Sequence, residues 1–183
     1  NTTLLEGARV KAEQVLGRVN PGPNLDPVVL GIFANFEILL AATYAGVGER
    51  AIEVAVEHVK KRRSVMNQTT YSNDPAIRWR LAEAALLMNA VGPQIREMAA
   101  LVESDAEPNL GWLPRLSAVK NAASEASLRV VEQCVRACGG SSYYDKNELS
   151  RLYRDVLAGL FQPSDQESLH GAWANMVLGP VAD

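Results

Sequence analysis

The chain is poor in the residues from which most reaction centres are built. It has two histidines, His58 and His170, and two cysteines, Cys134 and Cys138. No Ser/His/Asp or Cys/His arrangement for nucleophilic catalysis stands out. A structural zinc site needs four ligands at characteristic spacings, so two cysteines four apart in a helical stretch predict no metal. They read instead as buried free thiols, which suit a reducing cytoplasm. Aromatics make up only 6% of the residues. A net charge of -3 provides no phosphate-tracking surface and argues against a nucleic-acid partner. No uninterrupted apolar run is long enough to span a bilayer, so no membrane association is expected. The start, Asn1-Thr-Thr, has neither an initiator Met nor a signal-peptide pattern, and the chain is expected to be a piece of a larger protein.

What is abundant is alanine, with leucine beside it, in a chain of 183 residues that is 48% hydrophobic. Both residues favour helix, and the length suffices for one substantial core. Residues 1–25 stand apart. Leu4 to Leu16 reads as an extended stretch and a turn, followed by Val19-Asn-Pro-Gly-Pro-Asn-Leu-Asp-Pro27, which is too rich in turn formers for a helix interior. A lone strand has no partner here, so this segment is expected to be the end of a preceding β-domain plus a linker.

Residues 26–183 predict an all-α domain. Helix one runs over 27–63, capped by Asp26 and opened by Pro27, with Leu30, Phe33, Leu40, Tyr44, Val47, Ala51, Val54 and His58 inward. Helix two covers 74–104, with a kink or short break expected at Gly92-Pro93. Helix three covers 113–138 and ends at Gly139-Gly140. Helix four covers 146–160. Helix five starts at Ser164, where Ser164-Asp-Gln-Glu167 fits a capping box. Short connections between long helices predict an up-and-down four-helix bundle with one extra short helix. Gly46-Val-Gly48-Glu-Arg-Ala51 matches a dinucleotide fingerprint, but in mid-helix it more simply lets two helices approach.

Three stretches resemble the acyl-CoA dehydrogenase family in the same order. Val10–Val19 looks like the end of that family's middle β-domain, and Ala76–Ala85 like the helix after its substrate loop. Arg136-Ala-Cys-Gly-Gly140 followed by Leu149-Ser-Arg-Leu-Tyr-Arg-Asp155 is similar to the family's Gly-Gly and Arg-Asp signature. The resemblance implies the C-terminal bundle of a three-part protein that binds FAD and assembles as a homodimer or homotetramer. By itself this chain is expected to hold no FAD, because the flavin ring would rest on the missing β-domain. The resemblance further places Arg63 (or Arg62), Gly139, Gly140 and the neighbouring Arg136 at the edge of a cofactor site shared between subunits. A cation there would offset pyrophosphate charge, and glycine would admit its close approach.

The departures concern the base. The resemblance calls for a Glu nine residues after Arg154, where Pro163 stands, or for one on the first long helix, where Phe36 aligns and Glu37 is its neighbour. Glu37 and Asp165 are therefore the candidate bases. Glu37 sits among apolar residues that would raise its pKa if it faces inward, and could equally pair with a base on another helix. Asp165 lies in a first helical turn, where its pKa would fall. The loop carries Arg63-Ser-Val-Met-Asn67 in place of Arg-x-x-Phe-Gly, and Arg136 replaces a glutamine. Three functions remain open: α,β-desaturation of an acyl-CoA or similar small substrate, flavin-dependent monooxygenation, for which the family's histidine is missing near Gln162, or a degenerate helical scaffold.

Overall fold

A computed structural model describes residues 3–22, 24–104 and 106–181. Five α-helices follow in order: α1 (Pro27–Lys61), α2 (Pro75–Glu103), α3 (Trp112–Cys138), α4 (Glu148–Leu157) and α5 (Gln166–Leu178). No strand occurs among the described residues, and the one isolated bridge, Arg63 to Thr70, closes the tip of the α1–α2 loop. This is the all-α bundle expected from the sequence. Residues 3–22 are exposed and, among the described residues before α1, the one regular element is a 3-10 turn, Ala12–Gln14, where a strand was expected.

The helix starts are set locally. Asp26 accepts from the backbone N–H groups of Val28 and Val29, and Asp74 from those of Ala76 and Ile77, each with proline next in the chain. These caps satisfy donors that would otherwise lack partners at a helix N-terminus. α2 runs through Pro93 without a break, so of the expected kink or break the break does not occur. Gly92 explains the tolerance, because the residue before proline is normally driven out of the helical region by its own Cβ, and glycine has none.

Packing centres on α1 and α3, the most extensive helix pair. The buried face of α1 is Leu30, Ala34, Glu37, Ala41, Tyr44, Ala45, Gly48, Ala51, Ala55 and Val59. The expected stripe was turned slightly off this face. Of its members, Leu30, Tyr44 and Ala51 are buried, whereas Phe33, Leu40, Val47 and Val54 pack around the margin. Only small side chains fit the line of closest approach. A Cβ on Gly48 would lie 2.7 Å from Met88 Sδ and 3.0 Å from Ser127 Oγ, whereas one on Gly46 would meet nothing. The glycine motif thus serves helix packing through Gly48. α1 is also long and apolar enough, by length and composition, to cross a membrane, which a search for uninterrupted runs misses because Glu37 interrupts it. Cys134 and Cys138 are free and buried, and burial pushes their thiols up to about 12 and about 11.

α5 rests mainly on α3, pinned by Trp173 Nε1 donating to Pro114 O at 3.3 Å. It has no fully buried residue, and Met176, Val177 and Leu178 are exposed. On α1, Val29, Ile32, Phe36 and Leu39 form an exposed apolar stripe. Gly48→Val should cost about 1–3 kcal/mol in urea unfolding, through overpacking against Met88 and Ser127. Gly46→Ala should gain up to about 1 kcal/mol from helix propensity alone. Equal effects at the two glycines would contradict the close approach of α1 to its neighbours.

Candidate functional site

α3 carries a second stripe beside its apolar one. Ser117, Lys120, Asn121, Ser124 and Ser127 recur at three- and four-residue spacing, and all are buried. Buried polar groups must find partners; Ser117, Lys120 and Asn121 find them in the α4–α5 connection, whereas Ser124 Oγ bonds to Lys120 O on its own helix and Ser127 Oγ to Met88 Sδ. Lys120 Nζ donates to three backbone carbonyls, Gly159 O at 2.8 Å, Gln162 O at 2.6 Å and Ser164 O at 3.0 Å. Asn121 Nδ2 adds a bond to Ser164 O at 2.8 Å. From α1, Tyr44 Oη donates to Gln162 Oε1 at 2.7 Å.

Glu37 meets the same loop from the α1 side. It is wholly buried, and its Oε1 accepts from the Ser164 backbone N–H at 3.0 Å and lies 3.5 Å from Ser117 Oγ. Oε2 has no partner. Desolvation pushes the Glu37 pKa up, opposed by the hydrogen bonds from Ser164 and by the charge of Lys120. Burial pushes Lys120 down, opposed by Glu37 and Asp165. The alternative of an ion pair to a neighbouring helix is only partly met. Lys120 is near enough for its charge to act, but its three N–H groups are spent on carbonyls.

Asp165 has a different task. It is the N-cap of α5, accepting from Ser168 N at 2.9 Å, and the hydrogen bonds from Ser168 hold its pKa below the usual value. The expected capping box at Ser164 is therefore corrected by one residue. Ser164 is turned inward to Glu37, Ser117 and Lys120, so it cannot cap, and α5 begins at Gln166.

In front of this network lies an open groove of about 480 Å³ between α1, α3 and α5. Its wall is mostly apolar, with Phe33, Leu113, Leu169 and Met176, and Ser117 and Ser164 lie in it. Among the described residues no carboxylate lines the groove; Glu37 stands behind the two serines.

The other predicted residues gather at the far end of α3. Gly139 adopts φ +71, the left-handed turn that ends the helix, and neither Gly139 nor Gly140 has a neighbour within reach of an added Cβ. Arg62 comes to this turn, its Nη1 3.2 Å from Ser141 Oγ and 3.5 Å from Cys138 O, with the guanidinium 4.9 Å above the Tyr71 ring. Arg63 instead donates to Gln68 O in its own loop at 2.7 Å. Arg136 pairs with Glu132 one turn earlier on α3. His58 Nε2 lies 3.4 Å from Ser141 Oγ, and burial, with Arg62 nearby, lowers its pKa.

Sequence reasoning found Glu37 but missed Ser117, Lys120, Asn121 and the side chain of Ser164. The signal was present as polar residues repeating with helical period beside the apolar stripe of α3. Lys120→Met should cost about 2–5 kcal/mol, because it strands buried carbonyls that share one donor. Glu37 should act through pH. The folded state holds its proton more tightly than the unfolded chain, so its contribution is fully present below the ordinary value of 4.5 and is lost as pH rises through the raised value. Glu37→Gln should therefore gain stability relative to the parent from pH 4.5 toward neutral; a difference that is flat across that window would contradict the buried carboxyl.

With this geometry in place, comparison with known proteins is informative. The family model described as acyl-CoA dehydrogenase, C-terminal domain, matches residues 38–161. The rat mitochondrial very long-chain specific acyl-CoA dehydrogenase is 28% identical over 152 residues, 82% of this chain and 22% of that protein. An amino sugar nitrososynthase of Streptomyces peucetius is 27% identical over 160 residues, 86% of this chain and 39% of that protein. The solved structure of butyryl-CoA dehydrogenase from Megasphaera elsdenii aligns with a TM-score of 0.73 at 21% identity, over 82% of this chain and 38% of that one, a likeness of fold. The chain thus spans between about a fifth and two fifths of the curated relatives it matches. It belongs to the acyl-CoA dehydrogenase family, of which it forms the C-terminal helical domain.

Proposed function

We propose that this chain is the C-terminal bundle of a flavin-dependent oxidoreductase that α,β-desaturates an acyl-CoA thioester, with Glu37 as the proton acceptor. The supporting observation is that Glu37 on α1 and the loop position occupied by Pro163 meet at one place, Glu37 Oε1 accepting from Ser164 N at 3.0 Å. A carboxylate whose pKa is raised by burial is suited to take a proton near neutral pH. Asp165 is the poorer candidate, because its bonds to Ser168 stabilise the charged form. Relatives named as acyl-CoA dehydrogenases support the substrate class.

The turn at the end of α3 fits the phosphate edge of FAD. Arg62 brings a guanidinium, Ser141 a hydroxyl and Gly139 a turn of positive φ that is open to the outside. Arg62, Ser141, Gly139 and Gly140 would hold the pyrophosphate, and Arg63 and Arg136 lie at the margin. When bound, the flavin supplies the hydride acceptor. Assembly as a homodimer or homotetramer and a cytoplasmic location belong to the same proposal, and the exposed apolar stripe of α1 and the outer face of α5 support association. In the full-length protein, Arg62→Ala should weaken FAD binding by about 10- to 100-fold, as the loss of a charge-assisted contact does. Arg63→Ala should change it less, and the reverse order, by flavin fluorescence titration, would assign the cation to Arg63.

A second reading, flavin-dependent monooxygenation of a small substrate, is favoured by the groove itself, whose described lining holds no carboxylate, and by similarity to an amino sugar nitrososynthase. The two separate in one experiment. The full-length flavoprotein is mixed anaerobically with acyl-CoA thioesters of graded chain length. Desaturation bleaches the visible flavin band, and Glu37→Gln slows the bleaching by about 10²–10⁴-fold. Bleaching at an unchanged rate removes Glu37 as the acceptor. No bleaching by any thioester, together with oxygen uptake by the chemically reduced flavin in the presence of an amine, supports the second reading.

A further inference from the structure

Glu37 does not reach the groove, yet two hydroxyls that line it do reach Glu37. Ser117 Oγ and Ser164 Oγ are 2.9 Å apart, and both residues are part of the groove wall. Ser117 Oγ donates to Glu37 Oε1 at 3.5 Å, so the Ser164 hydroxyl is linked to that carboxyl through Ser117. Ser117 has a single proton and three acceptors around it, since Leu113 O stands 3.2 Å away. Rotation about its Cβ–Oγ bond therefore moves that proton between the backbone, Ser164 and Glu37. Lys120 cannot compete for this role, because its three protons bond to backbone carbonyls. The charged group acting on Glu37 is Lys120 from α3, which in turn feels Asp165 at the start of α5, and Tyr44 on α1 is bonded to the loop at Gln162.

We infer that the hydroxyls of Ser164 and Ser117 form a proton path from the groove to the buried carboxylate of Glu37, with Ser164 as the group that touches the substrate. The inference rests on the reading of Glu37 as proton acceptor and adds the route by which a proton reaches it. In the forward direction, a proton leaving the substrate bonds to Ser164 Oγ as the proton already there passes to Ser117 Oγ and the Ser117 proton passes to Glu37 Oε1. One O–H bond is broken and one formed at each serine used. Glu37 ends as a carboxylic acid, and the electron pair of the broken α-C–H bond stays with the substrate to form the α,β double bond, the β-hydride being what a bound flavin would accept. Neither serine carries a full negative charge when the transfers are concerted, which matters because an isolated alkoxide beside an apolar groove would be costly. The carboxylate is left without a direct ion-pair contact, so it keeps the basicity that draws the proton inward.

The hydroxyl of Ser164 can be removed without removing what holds the loop. The bonds to Glu37 Oε1 through Ser164 N, and to Lys120 and Asn121 through Ser164 O, are backbone bonds that alanine retains. The test uses the full-length flavoprotein with Ser164→Ala, Ser164→Thr, Ser117→Ala and Glu37→Gln. One measurement, made at acid pH where Glu37 holds a proton, is the rate at which its carboxyl exchanges that proton on transfer to D2O, followed as the infrared carboxyl band absent from Glu37→Gln. Ser164→Ala should slow this exchange by at least about tenfold, and Ser164→Thr, which keeps a hydroxyl, should restore it. Ser117→Ala, which removes the link between Ser164 and Glu37, should slow it by a similar factor. The second measurement is flavin reduction by acyl-CoA, which should fall in the same order. Exchange unchanged in Ser164→Ala overturns the path, as does exchange slowed equally by alanine and threonine. If no thioester reduces the flavin while exchange follows the expected order, the path stands and the desaturase reading fails.

Discussion

The ammonium of Lys120 organises the functional end of this domain. A lysine with no exposed surface is unfavourable unless its protons are satisfied, and here each bonds to a carbonyl of the α4–α5 connection. The loop conformation and the lysine's burial thus depend on each other. With the loop fixed in this way, Ser164 N is delivered to Glu37, Ser164 Oγ to Ser117, and α5 is started one residue later by Asp165. The raised pKa of Glu37 and the lowered pKa of Lys120 follow from the same enclosure, because both charges are held away from water while their partners are dipoles.

This arrangement requires α1 and α3 to lie close together. Alanines at 34, 41, 45, 51 and 55, with Gly48 between them, keep the contact face of α1 thin. Larger residues along that line would push α1 outward, and Glu37 would lose contact with a loop anchored on α3. The close packing also explains why large apolar residues of α1, including Phe36 and Leu39, are left on its outer side. Phe36 keeps 42% and Leu39 63% of its surface exposed.

At the other end of α3, a second cluster forms for a different reason. Gly139 stops the helix in a left-handed turn, and the last turn of α1 delivers Arg62 beside it. Two of the predicted cofactor contacts are thereby joined through Arg62, whereas Arg63 is taken by the loop it opens. Adjacent positions at a helix end point in different directions, so a motif of consecutive basic residues cannot say which of them will reach a neighbour.

The sequence alone determined the helices, the N-terminal caps of α1 and α2, the glycine stop of α3 and the family. Asp26-Pro27, Asp74-Pro75 and Gly139-Gly140 are local signals whose physics acts within one turn, and the Gly-Gly and Arg-Asp signature lies within 20 residues. Glu37 was legible as a carboxylate among apolar residues. The inward stripe of α1 was read slightly off its true face, because hydrophobicity favours large side chains whereas close packing favours small ones. The cap of α5 was misread by one residue, because a local capping box could not foresee that Ser164 is claimed by α1 and α3. Tertiary structure alone decided that Glu37, Ser117, Lys120 and Ser164 share one site. Those residues are separated by up to 127 positions, and a hydrogen bond depends on distances of about 3 Å that only packing sets.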